Sequence, residues 1–249
     1  MVYDQGAGFV RVRYRSGTGD VVDTTLDRVD VGEVVAGLPV REFRWVKGQR
    51  HYSGWYWSAT TGGLVVYESR LEMARIMLAD FCPDVVGIAA QPMQLVGTDG
   101  DRTRRHVPDL LLVHADGGVT VVDVKSPHKR QDVEVRALMD WTRHTVGLRG
   151  WAFEEWYGAA AQVLTNVAFL AGYRRRGVVA EELIPAVMQA TAEGASPLEI
   201  EQRMKPVHPL LVRPVVLHLV WSGRLSADLD APLAVTSLLK PVLGAKAVS

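Results

Sequence analysis

Two almost continuously apolar runs, residues 106–113 and 119–125, are separated by little more than Ala115-Asp116-Gly117-Gly118. An Asp-Gly pair supplies the positive φ angles of a tight turn, so the pattern predicts a β-hairpin. Strands apolar along their whole length are buried on both faces. The few polar residues in such strands therefore stand out. Pro108-Asp109 lies early in the first, and Asp123-Val124-Lys125 ends the second.

The flanking sequence predicts the rest of an α/β unit. From Glu68, apolar residues at Leu71, Ala74, Leu78 and Phe81 recur at helical spacing until Cys82-Pro83 stops the pattern. Residues 85–95 read as another buried strand, residues 132–145 as a helix ended by Gly147 and Gly150, and residues 151–156 as a further strand. The expected order is α-β-β-β-α-β, which with Pro108-Asp109 and Asp123-Val124-Lys125 on its hairpin resembles a restriction-endonuclease-like PD-(D/E)xK core. Residues 1–40 alternate in short bursts that suggest edge strands and turns, and residues 41–63 hold an aromatic and basic stretch. From about Ala159 only helices are expected, over 160–174, 180–192, 197–204 and 210–221, followed by a short turn-rich segment after Gly223. Three helices and a small extended flap predict a winged-helix-like domain. The expected division is 1–158 for an endonuclease domain and 159–249 for a helical C-terminal domain.

Charge narrows the partners. Lys plus Arg and Asp plus Glu both number 28, which argues against a purely electrostatic DNA binder and leaves room only for local basic clusters. The lone cysteine, Cys82, forms no internal disulfide, and no Cys/His cluster has zinc spacing. The N-terminus lacks a signal-peptide pattern and no apolar run is long enough to span a bilayer. A cytoplasmic protein of the bacterial cytosol and nucleoid, with no membrane partner, is expected.

Side chains alternate across a strand, so Asp123 and Lys125 share one face, while Val122 and Val124 point to the other. Neighbouring strands lie only ~4.8 Å apart, which lets Asp109 approach Asp123. Two carboxylates gathered in a buried sheet are unfavourable unless a cation joins them. A hard cation such as Mg²⁺, with Mn²⁺ as a substitute and one or two ions bound, would take carboxylate oxygens and activate a water against a phosphodiester. Lys125 would orient or deprotonate that water or stabilise the transition state. Glu68 is the natural third acid, and Glu72, one helical turn on, could replace or supplement it. The plain alternative is a solvent-facing Asp109 and an ordinary Asp123–Lys125 pair at a strand end.

The runs Gly48-Gln49-Arg50-His51-Tyr52-Ser53-Gly54, Val66-Tyr67-Glu68-Ser69-Arg70-Leu71-Glu72, Val107-Pro108-Asp109 and Asp123-Val124-Lys125 resemble the TnsA family, the endonuclease subunit of heteromeric transposases. The resemblance covers about residues 41–158, and more loosely the tail with Gly223-Arg224-Leu225-Ser226-Ala227-Asp228-Leu229. It implies cleavage of the 5′ strands of double-stranded DNA at transposon ends beside a DDE-type transposase subunit. It also implies an AAA+ ATPase regulator as a partner of the C-terminal domain. By matching motifs, Glu68, Asp109 and Lys125 carry over as catalytic residues. Asp123 stands where the best-known members have glutamine, in agreement with the wider nuclease pattern.

Arg50, His51 and Tyr52 in the aromatic-basic stretch, and Lys129 and Arg130 after the DxK motif, are candidate DNA contacts. Packing of Trp55 and Trp57 on a sheet is an equally good account of the first group. His114, at the end of an apolar strand, reads as structural. The other functions compatible with the sequence are a stand-alone nuclease of restriction, repair or phage defence, and a catalytically silent adaptor that binds DNA or a protein.

Overall fold

The computed structural model describes residues 6–41 and 52–242. The fold is mixed α/β and divides into two compact units, Met1–Asp80 with Asp84–Gly158, and Phe81–Pro83 with Ala159–Ser249. The first unit runs β1 (Arg11–Arg15), β2 (Val21–Thr25), α1 (Val31–Ala36), β3 (Gly54–Ser58), β4 (Gly63–Tyr67), α2 (Arg70–Phe81), β5 (Val85–Ala90), β6 (Gln94–Asp99), β7 (Arg102–His106), β8 (Leu110–His114), β9 (Val119–Val124), α3 (Val133–Gly147) and β10 (Ala152–Trp156).

Two four-stranded sheets carry this unit. The first is antiparallel throughout, in the order β2-β1-β6-β7. The second has the order β10-β9-β8-β5. Within it, β9 pairs antiparallel with β8 and parallel with β10, the connection from β9 to β10 passing through α3. The strands β8 and β9 are buried along most of their length, as their Leu/Val-rich composition requires. Among the residues of the second sheet and its helices, the order is α2-β5-β8-β9-α3-β10, with β6 and β7 inserted as a hairpin that joins the first sheet.

One core serves both sheets and α3. Val12, Tyr14 and Leu95 of the first sheet, Leu111 and Val121 of the second, and Trp141 of α3 belong to a single buried cluster. Gly97 makes the fit possible, because a Cβ there would stand 3.2 Å from the Trp141 ring. Trp141 also donates its indole N–H to the Thr98 carbonyl at 3.1 Å, so its one polar atom is satisfied. Truncating Trp141 would cost about 3–5 kcal/mol. The N-terminus of α3 is fixed by Asp132, whose carboxylate accepts from the Glu134 and Val135 amides.

A separate two-stranded sheet, β3 with β4, is tied to α2 by one buried side chain. The carboxylate of Asp80 accepts from the Tyr56 and Ser58 hydroxyls at 2.9 and 2.7 Å and from the Ala59 and Thr60 amides at 3.1 and 2.8 Å. On the same helix, Arg75 makes a two-point pair with Glu154 of β10.

The second unit contains α4 (Ala161–Leu170), α5 (Ile184–Ala190), α6 (Pro197–Arg203), α7 (Pro209–Trp221) and the two-residue strands β11 (Leu225–Ser226) and β12 (Lys240–Pro241), which pair antiparallel. The helix α7 is buried over Val215–Trp221, as a helix apolar on all sides must be. Asn166 holds the following loop by donating to the Leu229 and Ala231 carbonyls, both at 2.8 Å. Among the described residues no helix is long and apolar enough to cross a membrane.

Four local expectations are corrected. The strand expected over 85–95 is two strands in different sheets, because the chain turns at Gln91, whose φ is +45°, followed by Pro92. The strand expected over 106–113 is likewise broken, at Val107-Pro108-Asp109, where proline cannot donate to a ladder. In the first forty residues, β1 is an interior strand rather than an edge, and α1 is a helix capped by Asp30. Helix α5 starts at Ile184, with a 3₁₀ turn at Glu181–Leu183 before it, since Pro185 belongs in a first helical turn.

Candidate active site

The hairpin register decides where the acids meet. Leu110 pairs with Val122, so one step further Asp109 lies opposite Asp123, and the Asp109 amide donates to the Val122 carbonyl at 3.1 Å. The chain is held there from the other side too, because the Gln91 amide donates to the Asp109 carbonyl at 2.8 Å. Just beyond the end of β9, the Lys125 amide donates to the Trp156 carbonyl of β10. Backbone hydrogen bonds, two at Asp109 and one at Lys125, thus fix both ends of the motif before any side chain acts.

The side chains converge. The ammonium of Lys125 lies 3.2 Å from Asp109 Oδ2 and 2.8 Å from Asp123 Oδ1. The second oxygen of Asp123 is 2.7 Å from His106 Nε2, and Asp109 Oδ2 also accepts from the Val124 amide at 2.6 Å. The Asp123 side chain is completely buried, and those of Asp109 and Lys125 are each less than one-fifth exposed. A buried row therefore runs His106, Asp123, Lys125, Asp109.

Electrostatics divides the two aspartates. Burial raises the pKa of both. For Asp123 the hydrogen bond and charge of His106, then Lys125, outweigh burial and hold the carboxyl below its ordinary range. For Asp109 burial wins over Lys125, with the charge of Asp123 adding to it, and the carboxyl is held above its ordinary range. Burial lowers the Lys125 pKa, but Asp123 and Asp109 outweigh it and keep the ammonium charged.

Glu68 lies two residues before α2 begins, not within it. Its side chain is about two-fifths exposed, with Arg41 Nη1 4.0 Å away. Glu72 occupies the first turn and caps it: its amide is bonded by Ser69 Oγ at 3.1 Å, while its carboxylate accepts from the Ser69 hydroxyl and the Glu68 amide at 2.9 and 2.8 Å. Burial, and then the charges of Asp109 and Glu68, lift the Glu72 carboxyl above its usual range against the pull of those hydrogen bonds. Glu72 thus senses Asp109 directly. As placed, no three His, Cys, Asp or Glu side chains among the described residues converge closely enough to hold a metal ion.

The sequence reading missed His106, which enters from β7 of the first sheet. Its one signal was its place on the approach to Pro108-Asp109. His114, read as structural, bonds Thr120 across the β8–β9 hairpin at 2.9 Å. Among the candidate DNA contacts, Arg50 and His51 lie outside the described residues. Tyr52 is 65% exposed, and the Arg70 guanidinium stands 4.1 Å over its ring. Both tryptophans of the stretch lie on β3, Trp55 57% exposed and Trp57 half-buried. Lys129 and Arg130 follow Lys125 in an exposed 3₁₀ turn. Arg130 stands 5.0 Å over the Tyr157 ring and lines an open cleft of about 620 Å³ with Arg136, Arg143, Glu154 and Glu155. Compared with protein-family models and with curated proteins, the chain matches none.

Proposed function

We propose that this chain is a Mg²⁺-dependent DNA endonuclease of the PD-(D/E)xK kind, acting as a subunit of a heteromeric transposase. The observation that carries the reading is the buried Asp109–Lys125–Asp123 cluster at the end of the β8–β9 hairpin. The α2-β5-β8-β9-α3-β10 order around it supports the same reading. A structural role needs one acid for one lysine. Here two aspartates flank Lys125, Glu72 lies in electrostatic reach of Asp109 and Glu68, and the Glu72 and Asp109 carboxyls are held above their ordinary range.

The chemistry of that donor set suits a hard divalent cation, with oxygen ligands and negative charge in excess of the ammonium, while as placed the acids do not converge on one point. Asp109 and Asp123 would hold the ion, with Glu68 or Glu72 as the third acid. Bound there, it would acidify a water and stabilise charge on a phosphodiester. The protein's own part is positioning. His106 holds Asp123 by one oxygen, the Val124 amide holds Asp109, and the Lys125 ammonium carries positive charge into the site. Both carboxylates favour its charged form, and an ammonium there would stabilise negative charge on phosphate.

In the second unit, α5, α6 and α7 followed by the β11–β12 pair support a winged-helix-like reading, and an AAA+ regulator as its partner rests on the resemblance to the TnsA family alone. The resemblance to the TnsA family supports double-stranded transposon ends as substrate and a DDE-type transposase as partner. The test is nicking of supercoiled plasmid in Mg²⁺ or Mn²⁺ by wild type and Asp109→Ala, alone and with the co-encoded transposase. Metal-dependent nicking lost in the variant is the expected result. Cleavage only in the presence of the transposase would support the subunit role. Identical behaviour of the two proteins under every condition would sink the catalytic assignment in favour of an adaptor.

A further inference from the structure

The first sheet has an inner face in the core and an outer face coated with arginine. Cross-strand partners share a face, so the row Arg11↔Val96↔Arg105 places two arginines on the outside, and the next row adds Arg13 and Gln94. A cleft of about 310 Å³ opens here, lined by Arg13, Arg41, Gln94, Arg105, His106 and Val107. Neighbours on β7 show why its charge is available. Arg104 pairs with Asp99 and approaches Glu134, and Arg102 approaches Glu134. Arg13 is bound at two points by Asp23. Among the described residues, Arg11 and Arg105 make no ion pair within 4.0 Å, though Asp23 feels the charge of Arg11, and both are exposed.

Three links join this cleft to the carboxylate row. Arg41 lines it and stands 4.0 Å from Glu68. His106 lines it and bonds Asp123. Its wall at Val107 leads within two residues to Asp109. The row from Arg11 to Arg105 crosses two strand spacings, ~10 Å, which is more than one phosphate group fills. Cations spread over that distance match a run of phosphodiesters.

We propose that the arginine-coated outer face of the first sheet, centred on Arg11, Arg105 and the Arg13–Arg41 cleft, holds the DNA backbone next to the phosphate presented to Asp109 and Asp123. The site rests on the nuclease reading for its place in the reaction. It is distinct from Tyr52, Lys129 and Arg130. Contacts from its arginines to phosphate give affinity without sequence preference. Its arginines fix the strand that enters the cleft, and Lys125 meets the phosphate that follows.

The test uses the full chain carrying Asp109→Ala, so that cleavage cannot consume the probe, and measures binding of a short random-sequence DNA duplex by fluorescence anisotropy over a range of salt. Adding Arg11→Glu and Arg105→Glu should weaken binding by at least about tenfold and flatten the log–log salt dependence by about 2. Replacement of both by Gln should give a smaller loss in the same direction and guards against misfolding, which the far-ultraviolet spectrum reports. Lys205→Glu with Lys240→Glu makes the same change in net charge in the second unit and should have little effect. Unchanged binding in the Arg variants, an equal loss in the Lys control, or no binding by the parent would overturn the proposal. The plasmid assay keeps the two readings apart. Asp109-dependent nicking with intact binding in the Arg variants removes the cleft and leaves the nuclease, whereas lost binding without nicking under any condition does the reverse.

Discussion

Asp80 and Asp123 are both buried aspartates of the first unit, and their surroundings are opposite in kind. Asp80 meets four neutral donors, two hydroxyls and two amides, that use both its oxygens. Asp123 meets a lysine, a histidine and a second carboxylate that competes for the same lysine. Burial of a single charge is offset when neutral dipoles surround it, and then the side chain holds the fold together. Gathering like charges does the reverse, and it suits a site whose missing partner arrives from solution. The contrast sets a structural acid apart from the one we propose to be functional without reference to any relative.

The largest expected effect is on catalysis. Asp109→Asn should lower metal-dependent plasmid nicking by about a thousandfold, measured as initial rates at saturating Mg²⁺. The same change should leave metal-free stability equal or greater. Burial and the charge of Asp123 raise the Asp109 carboxyl, so folding favours its protonated form and the ionised form opposes folding. That handicap is absent below the unfolded value near ~3.9 and grows as pH rises through the folded value. Urea titrations in EDTA should therefore show the Asn variant gaining on wild type as pH rises and losing that gain in acid. A variant destabilised at neutral pH would place Asp109 with Asp80 among the structural acids.

Asp80→Ala supplies the other half of the comparison. It leaves four buried donors unpaired and should lower unfolding stability by about 3 kcal/mol, read from the urea midpoint. Activity per folded molecule should change little. His106→Ala should fall between the two, raising the Mg²⁺ concentration for half-maximal nicking by about tenfold, because a group that orients a ligand acts on metal affinity. Excess metal should recover most of the rate. A loss of rate that saturating metal does not recover would make His106 more than a positioning residue.

How much of this was legible follows from which pairings are local. Asp109, Asp123 and Lys125 meet because one hairpin with an Asp-Gly turn fixes their register, and alternation then puts Asp123 and Lys125 on one face. His106 was not legible, since it arrives on β7, an arginine-rich strand with no apolar alternation, in a sheet whose order β2-β1-β6-β7 joins segments far apart in sequence. The outer arginine face was hidden for the same reason. Arg11 and Arg105 are 94 positions apart and meet only through β6, which the sequence reading had fused with β5. Glu72 was visible as an alternative to Glu68, but its double role needed the capping hydrogen bonds.

The smallest expected effect tests whether neutral donors stabilise acids elsewhere in the unit. Tyr14, buried on β1, donates its hydroxyl to Glu33 of α1, a hydrogen bond that joins strand to helix. Burial first, then the hydrogen bond and charge of Glu33 and the charge of Asp30, push the Tyr14 pKa from 10.0 up to about 12. The folded state thus favours the neutral phenol. Its contribution is complete below the unfolded value and is lost as pH rises through the folded one. Tyr14→Phe should cost about 1 kcal/mol at neutral pH, the worth of one hydrogen bond. It should also remove part of the alkaline decline in stability that wild type shows between pH 10 and about 12. Parallel declines in the two proteins would mean that the phenol titrates as it does in the unfolded chain. The Tyr14–Glu33 contact would then contribute nothing to the distinction between acids held by neutral donors and acids held by one another.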